Sequence, residues 1–315
     1  MTAAQAEQDG AALARRLALL RLPVLPLQQA GVLRATAPGD WSPDPDAVGV
    51  GPDGDLLAVW SAYGERRRYG RRLVATDSGA RQTVLEAAVR PTHVQPLPGG
   101  RILLVNSRMR GRWPNAQIWT ASGVLERSGR LGDAIQHVLT TPAGRIWVGY
   151  FDEALFGPGE LSQHMLVCYD DQLEATWRYP RTGELPLIYD CYALNVDGED
   201  AVVCFLGTDM GIFHLVSVRA GITTDHGTSP VSGVHGLLVN GVNALLVGGY
   251  PPDFDVLTPV MLGTGASASG GELRRLTRPD GREVWHARRF CRGRVLYVFE
   301  HTTCAITTMD TPPTL

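Results

Sequence analysis

Apolar residues along the chain come in short runs, paired across a turn that holds glycine, and the pairing recurs six times. The copies read AVGVGPDGDLLAVW, HVQPLPGGRILLVN, HVLTTPAGRIWVGY, CYALNVDGEDAVVCF, VHGLLVNGVNALLVGGY and HARRFCRGRVLYVFE. Their turn glycines are Gly54, Gly100, Gly144, Gly198, Gly241 and Gly293, about 48 residues apart on average, a period at which each repeat is one supersecondary unit stacked on its neighbours. Each copy predicts a strand, a tight hairpin turn and a second strand. Weaker stretches follow, such as RRLVATDSG, AQIWTASGVLERSG and MLVCYDDQLEATW, and predict outer strands.

Four strands per unit and six units predict an all-β fold, a six-bladed β-propeller of four-stranded blades. The last unit runs out after three strands (HARRFC, RVLYVFE, TCAITTMD). A segment near Leu25 to Ala35 is expected to add its missing outer strand and close the ring, which removes an exposed sheet edge. Ahead of it, ALARRLALLRLPVLPL is spaced as an amphipathic helix from about Ala4 to Leu20, with Leu13, Leu17 and Leu20 on one face. That face is expected to dock on the main body. Arg15, Arg16 and Arg21 break the segment before a secretory core or a membrane span forms. Residues 1–24 are therefore read as helix and lead-in, and 25–315 as a single propeller domain.

With the PDG, PAGRIWVG and VDG hairpins in place, the chain resembles the six-bladed propellers of the gluconolactonase and senescence-marker type, and related NHL-like and lyase propellers, over roughly Pro43 to Asp310. The resemblance implies a propeller. Lactonase-type members hold a metal through an acidic residue on the inner strand of the first blade, and the matching position here, near Ala47, carries no ligand. The peptidyl-α-hydroxyglycine lyases are similar in placing three histidines around a channel metal.

Composition narrows the chemistry. The 315 residues include 29 basic side chains other than histidine, and all 29 are arginine. Without lysine there is no Schiff base to a carbonyl substrate or to pyridoxal phosphate, and no phosphate-loop lysine. A net charge of −3 gives no global attraction to nucleic acid; neither nucleic acid nor a membrane is expected as partner, and the chain is expected to be a monomer. Five cysteines, none in a C-x-x-C pair, suit a reducing, cytoplasmic setting. No G-x-S-x-G or H-E-x-x-H motif occurs. Gly49, Gly51 and Gly54, with Asp77 beyond, spell a dinucleotide fingerprint, which requires a helix at 55–69 where the repeat predicts a strand.

Candidate chemistry gathers on the face carrying the loops after each second strand, because a rigid scaffold presents function on its loops. Counting back seven residues from the turn glycine gives His93, His137 and His286, with Cys191 in the fourth unit and His235 one place off register. One reading makes His93, His137 and His286, oriented or completed by Asp190, a channel-mouth centre for one divalent metal ion (Zn, Mn, Fe or Ca). The other has each histidine tie its inner strand to the backbone of the next unit. Tyr150, Asp152 and Glu153 are candidate catalytic groups, able to act as general acid and base. Arg66, Arg68, Arg108 and Arg110, interleaved with Trp113 and joined by Tyr250, suit an anionic ligand through planar donors and stacking faces. Opposite them Asp152, Glu153, Glu160, Asp253 and Asp255 predict an acidic half. The expected function is binding of a small polar or anionic molecule at the channel mouth, with metal-dependent hydrolase or lyase chemistry. The alternative is a protein-interaction scaffold without catalysis, its partner a protein.

Overall fold

A computed structural model describes residues 3–76, 81–108, 113–157, 161–209, 211–263, 267–268, 271–284 and 287–309. Helix α1 (Ala3–Leu19) leads into β1 (Val24–Pro26) and β2 (Gln28–Val32). A first antiparallel sheet follows in chain order: β3 (Ala47–Val50), β4 (Leu56–Ser61), β5 (Tyr69–Thr76) and β6 (Arg81–Val89). A second contains β7 (His93–Leu97), β8 (Arg101–Val105), β9 (Ala116–Trp119) and β10 (Leu125–Gly129). A third contains β11 (Ile135–Thr140), β12 (Ile146–Tyr150), β13 (Leu166–Tyr169) and β14 (Ala175–Arg178).

The next four strands, β15 (Ile188–Asp197), β16 (Asp200–Gly207), β17 (Phe213–Arg219) and β18 (Ile222–Thr228), form one half of an eight-stranded sheet. Then come β19 (Gly236–Asn240), β20 (Asn243–Val247), β21 (Val256–Met261), β22 (Ser267–Ala268) and β23 (Arg274–Thr277), which share a sheet with β1. Finally β24 (Arg288–Arg292), β25 (Val295–Glu300) and β26 (Thr303–Thr308) make the other half of the eight-stranded sheet. Its fourth strand is β2, antiparallel to β26 with Gln28 opposite Ile306, so the N-terminal segment occupies the predicted outer position. The halves join through a short parallel contact that sets Asn195 against Cys291 and Val196 against Arg292.

The fully buried strands follow from their composition. β3, β12 and β13 are buried along their whole length, and their β-branched and aromatic residues fit a surface covered on both faces. Inner strands neighbour one another in the order β3, β7, β11, β15, β19, β24 and β3. The approach is close at Gly49, where a Cβ would lie 1.9 Å from the carbonyl oxygen of Val94 on β7. Gly51 faces Pro96, and Gly54 takes φ +86° in the hairpin turn. Packing and turn geometry thus account for all three glycines of the apparent fingerprint, and Leu56–Ser61 is a strand. Asp77 lies outside the described residues.

One side chain knots the centre. Arg292, at the end of β24 and 5% exposed, sends Nε and Nη2 to the carbonyl of Val50 at 3.0 and 2.6 Å. Its Nη1 donates to the carbonyl of Thr140 at 2.6 Å, and Nη2 also donates to the side-chain oxygen of Gln95. Beside it, Asn195 donates to the carbonyls of Leu237 and Gly293 at 2.6 and 2.8 Å and accepts from the amide of Gly293 at 2.9 Å. Together these two residues bond to β3, β7, β11, β19 and the β24–β25 turn.

The helix docks differently from its sequence pattern. Leu13, Leu17 and Leu20 are 61%, 54% and 45% exposed, and Leu19 is the buried leucine. Charge holds the helix instead. Arg16 pairs with Asp255 at 2.6 Å and Glu283 at 2.5 Å and covers the ring of Phe254 at 4.5 Å, while Arg15 reaches Asp253 at 3.1 Å. Asp255 has a fully buried side chain that Arg275 also contacts at 3.3 Å, and a buried carboxylate needs such partners. Among the described residues no helix is long and apolar enough to cross a membrane.

Candidate functional site

The inner strands line a cavity of about 530 Å³. Its wall carries Arg108, Arg288 and Arg289, the imidazoles of His93, His137 and His235, and no carboxylate among the described residues. A groove of about 780 Å³ adjoins it, sharing Thr92, Ser107, Arg108 and Arg288 and extending to Tyr63, Arg66 and Arg90.

The histidines are held neutral. Burial pushes His93 down to about 4, helped by the neighbouring imidazole of His137 and opposed by a hydrogen bond to the backbone of Ile135. Burial likewise takes His137 to about 4, against the backbone of Tyr192 and Cys191. His137 Nε2 donates to the carbonyl of Tyr192 at 3.2 Å. Two inner-strand histidines therefore touch the backbone of the following sheet. His235, lowered by burial and by Arg289, donates from Nε2 to the carbonyl of Gly249 at 3.1 Å, within its own sheet. Among the described residues no cluster of three or more His, Cys, Asp or Glu is arranged to hold a metal.

The structure separates the three candidate catalytic groups. Tyr150 lies in the core with no exposed surface, not at the mouth; its hydroxyl bonds to the carbonyl of Leu131 and, at 2.9 Å, to the hydroxyl of Tyr169. The reason is periodicity: Tyr150 ends a strand whose residues are all buried. Asp152 and Glu153 begin a 3-10 turn, Asp152–Phe156. Glu153 is ion-paired with Arg108 at 2.5 Å, and this guanidinium also covers the ring of Phe151 at 4.7 Å. Asp190, on β15, is pushed up to about 6 by burial and by the charge of Asp152. Next to them Tyr192 shares a 2.5 Å hydrogen bond with Tyr250.

Arg66 lines the adjoining groove. Arg68 turns to the second sheet, donating to the carbonyl of Pro114 at 3.3 Å, beside an exposed Trp113. Arg110, Glu160 and His286 lie outside the described residues. The expected acidic half is reduced, because α1 covers Asp253 and Asp255 with arginine.

Sequence reasoning missed Arg288 and Arg289. Both sit in the inner strand of the last copy, HARRFCR, where the other copies are mostly apolar. Two adjacent arginines at such mostly apolar positions were the available signal. The five cysteines are buried and unpaired to one another. Burial pushes Cys204, Cys291 and Cys304 up to about 12, away from thiolate reactivity.

No protein-family model matches the chain, and no curated protein matches it in sequence. Solved structures do. The β-propeller domain of Myceliophteria thermophila Cps50 (Swd1) is 10% identical with a TM-score of 0.50, over 88% of this chain and 86% of that one. A functionally unknown protein from Desulfotomaculum acetoxidans is 10% identical with a TM-score of 0.50, over 85% and 81%. A gluconolactonase from Xanthomonas campestris is 13% identical with a TM-score of 0.44, over 92% and 99%. The likeness to the Cps50 domain shows a β-propeller fold, and at such identity it concerns the fold alone.

Proposed function

We propose that this protein is a six-bladed β-propeller that binds a small anionic ligand in its axial cavity. The circular order of inner-strand neighbours and the pairing of β2 with β26 support six blades and a closed ring. One observation carries the binding function: three arginines face a cavity whose described wall has no carboxylate. Arg108 has Glu153 as counter-ion, whereas among the described residues Arg288 and Arg289 bond to backbone carbonyls, those of Asp46 and Val284. Carbonyl partners do not neutralise a guanidinium as a carboxylate does, so although burial lowers the Arg289 pKa, its charge is left for a ligand and a walled cavity focuses it.

Hydrolase or lyase chemistry on this ligand would draw on the neutral imidazoles and on Asp190, whose raised acidity range suits proton transfer near neutral pH. A divalent metal bound by His93, His137 and His286 remains part of that reading. A second reading, docking of a protein partner, is favoured by the exposed aromatic side chains Tyr63, Trp113, Phe156 and Tyr250.

Calorimetric titration tests the proposal with small carboxylates and phosphates against uncharged analogues of the same shape. Saturable binding of the anions, weakened about tenfold in Arg289→Met, is expected. Equal affinity for the uncharged analogues, or none for either, overturns it.

A further inference from the structure

The wall of the cavity offers acceptors as well as donors. His235 Nε2 lies 3.1 Å from the carbonyl of Gly249, and a carbonyl oxygen can only accept, so the proton sits on Nε2 and Nδ1 is a bare lone pair. The ring is pinned on that side by glycine: a Cβ on Gly248 would come within 2.7 Å of His235 Cδ2. With the Cδ2–Nε2 edge against the protein, the Nδ1 edge is the opposite one. His137 repeats the arrangement, with Nε2 on the carbonyl of Tyr192 and Cδ2 3.5 Å from where a Gly149 side chain would begin. Both rings line the cavity. Neither Nδ1 has a hydrogen-bond partner among the described residues, nor is either an unpaired atom sealed from solvent.

Among the described residues neither arginine serves these lone pairs: Arg288 donates to the carbonyl of Asp46 and Arg289 to that of Val284. A ligand complementary to the whole wall therefore carries an acceptor charge and, beside it, its own donor. An ammonium donor is disfavoured by three nearby guanidinium charges. A hydroxyl is not.

Resting on the proposed anion binding, we infer that the cavity selects hydroxylated anions, with the anionic group received by Arg288 and Arg289 and a hydroxyl donated to Nδ1 of His235 or His137. Carboxylate and phosphate share this chemistry as the anionic group, so both are tested. Neutral hydroxyl groups and uncharged sugars lack the anion and bind weakly.

The experiment compares matched pairs on the full chain in the presence of EDTA: lactate against propionate, and glycerol 3-phosphate against propyl phosphate. The hydroxylated member of at least one pair is expected to bind about tenfold more tightly, because a site that pairs a substrate hydroxyl leaves its own acceptor unpaired when the hydroxyl is missing. Which pair discriminates names the anionic group. In the double variant His137→Phe, His235→Phe the preference should fall below about threefold. His235→Asn, which offers an amide oxygen near the place of Nδ1, should restore part of it in a His137→Phe background. Equal binding of both members of both pairs overturns this inference and leaves anion binding standing. No binding by any of the four overturns the anion reading itself. A preference that EDTA abolishes assigns the hydroxyl to a metal and also overturns the inference. The wild-type comparison decides the matter even if the variants do not fold.

Discussion

The guanidinium of Arg292 grips the carbonyl oxygen of Val50 with two hydrogen bonds, at 3.0 and 2.6 Å, joining the last inner strand to the first. The same group serves Thr140 and Gln95, so it is a cation dissolved in backbone and amide oxygens. Burial without a carboxylate lowers its pKa to about 9, with Tyr297 and Asp53 opposing. Such a group is costly to bury and costlier to remove, because its acceptors stay behind.

Replacement of Arg292 by methionine is therefore expected to destabilise the protein by about 3 kcal/mol, the sum of two or three orphaned acceptors less the relief of a buried charge. Arg292→Lys should fall between, since one ammonium cannot reproduce the forked geometry. Urea unfolding midpoints measure both. A methionine variant as stable as the parent would show that the central knot holds nothing together.

Gly49 supplies a sharper test of the close approach of β3 to β7. Gly49→Ala puts a methyl group against the carbonyl of Val94 at 1.9 Å, a backbone contact that cannot rotate away. We expect a loss of about 3 kcal/mol or more, or failure to fold. Gly64→Ala, where a Cβ meets nothing but φ is +74°, should cost only about 1 kcal/mol. Thermal denaturation of the pair separates steric contact from turn strain.

How far the sequence carried the reading follows from these residues. The strands were legible because hairpin glycines and apolar runs repeat locally, and the outer position of the N-terminal strand was legible because the last copy is one strand short. Gly49 was misleading in isolation, since a glycine required by close packing and one required by phosphate approach look alike. Tyr150 was misplaced because a strand end can face either the core or the mouth. Leu13, Leu17 and Leu20 suggested an apolar docking face, but the buried carboxylate of Asp255 draws Arg16 inward and turns that stripe outward. Long-range charge pairing of this kind has no local pattern.

Arg16→Ala should accordingly release α1. It leaves Asp255, fully buried, with Arg275 as its remaining close cation, and we expect a loss of about 1–3 kcal/mol. Amide hydrogen exchange of α1 should rise while exchange in β7, β11 and β15 is unchanged. Unaltered protection of α1 would refute the charge-docked arrangement.

Acid should weaken the fold in a defined window. His93 and His137 have folded values of about 4 against 6.5 unfolded, so the unfolded chain takes up protons first as pH falls. Their contribution is complete above 6.5 and is lost as pH drops toward 4. Asp190, raised to about 6 from 3.8, works in the opposite sense and gains stability as it protonates. Two histidines outweigh one carboxyl, for a net loss of roughly 1–3 kcal/mol between pH 6.5 and 4. The melting temperature of His93→Gln, His137→Gln should depend less on pH over that interval, and that of Asp190→Asn more.

The proposed cavity site is tested most directly by locating a bound anion. Crystals soaked in 3-bromolactate should give a bromine anomalous peak inside the cavity, with the carboxylate within hydrogen-bond distance of Arg289. Anomalous peaks confined to the outer surface, with only water between Arg288, Arg289 and His235, would contradict the account.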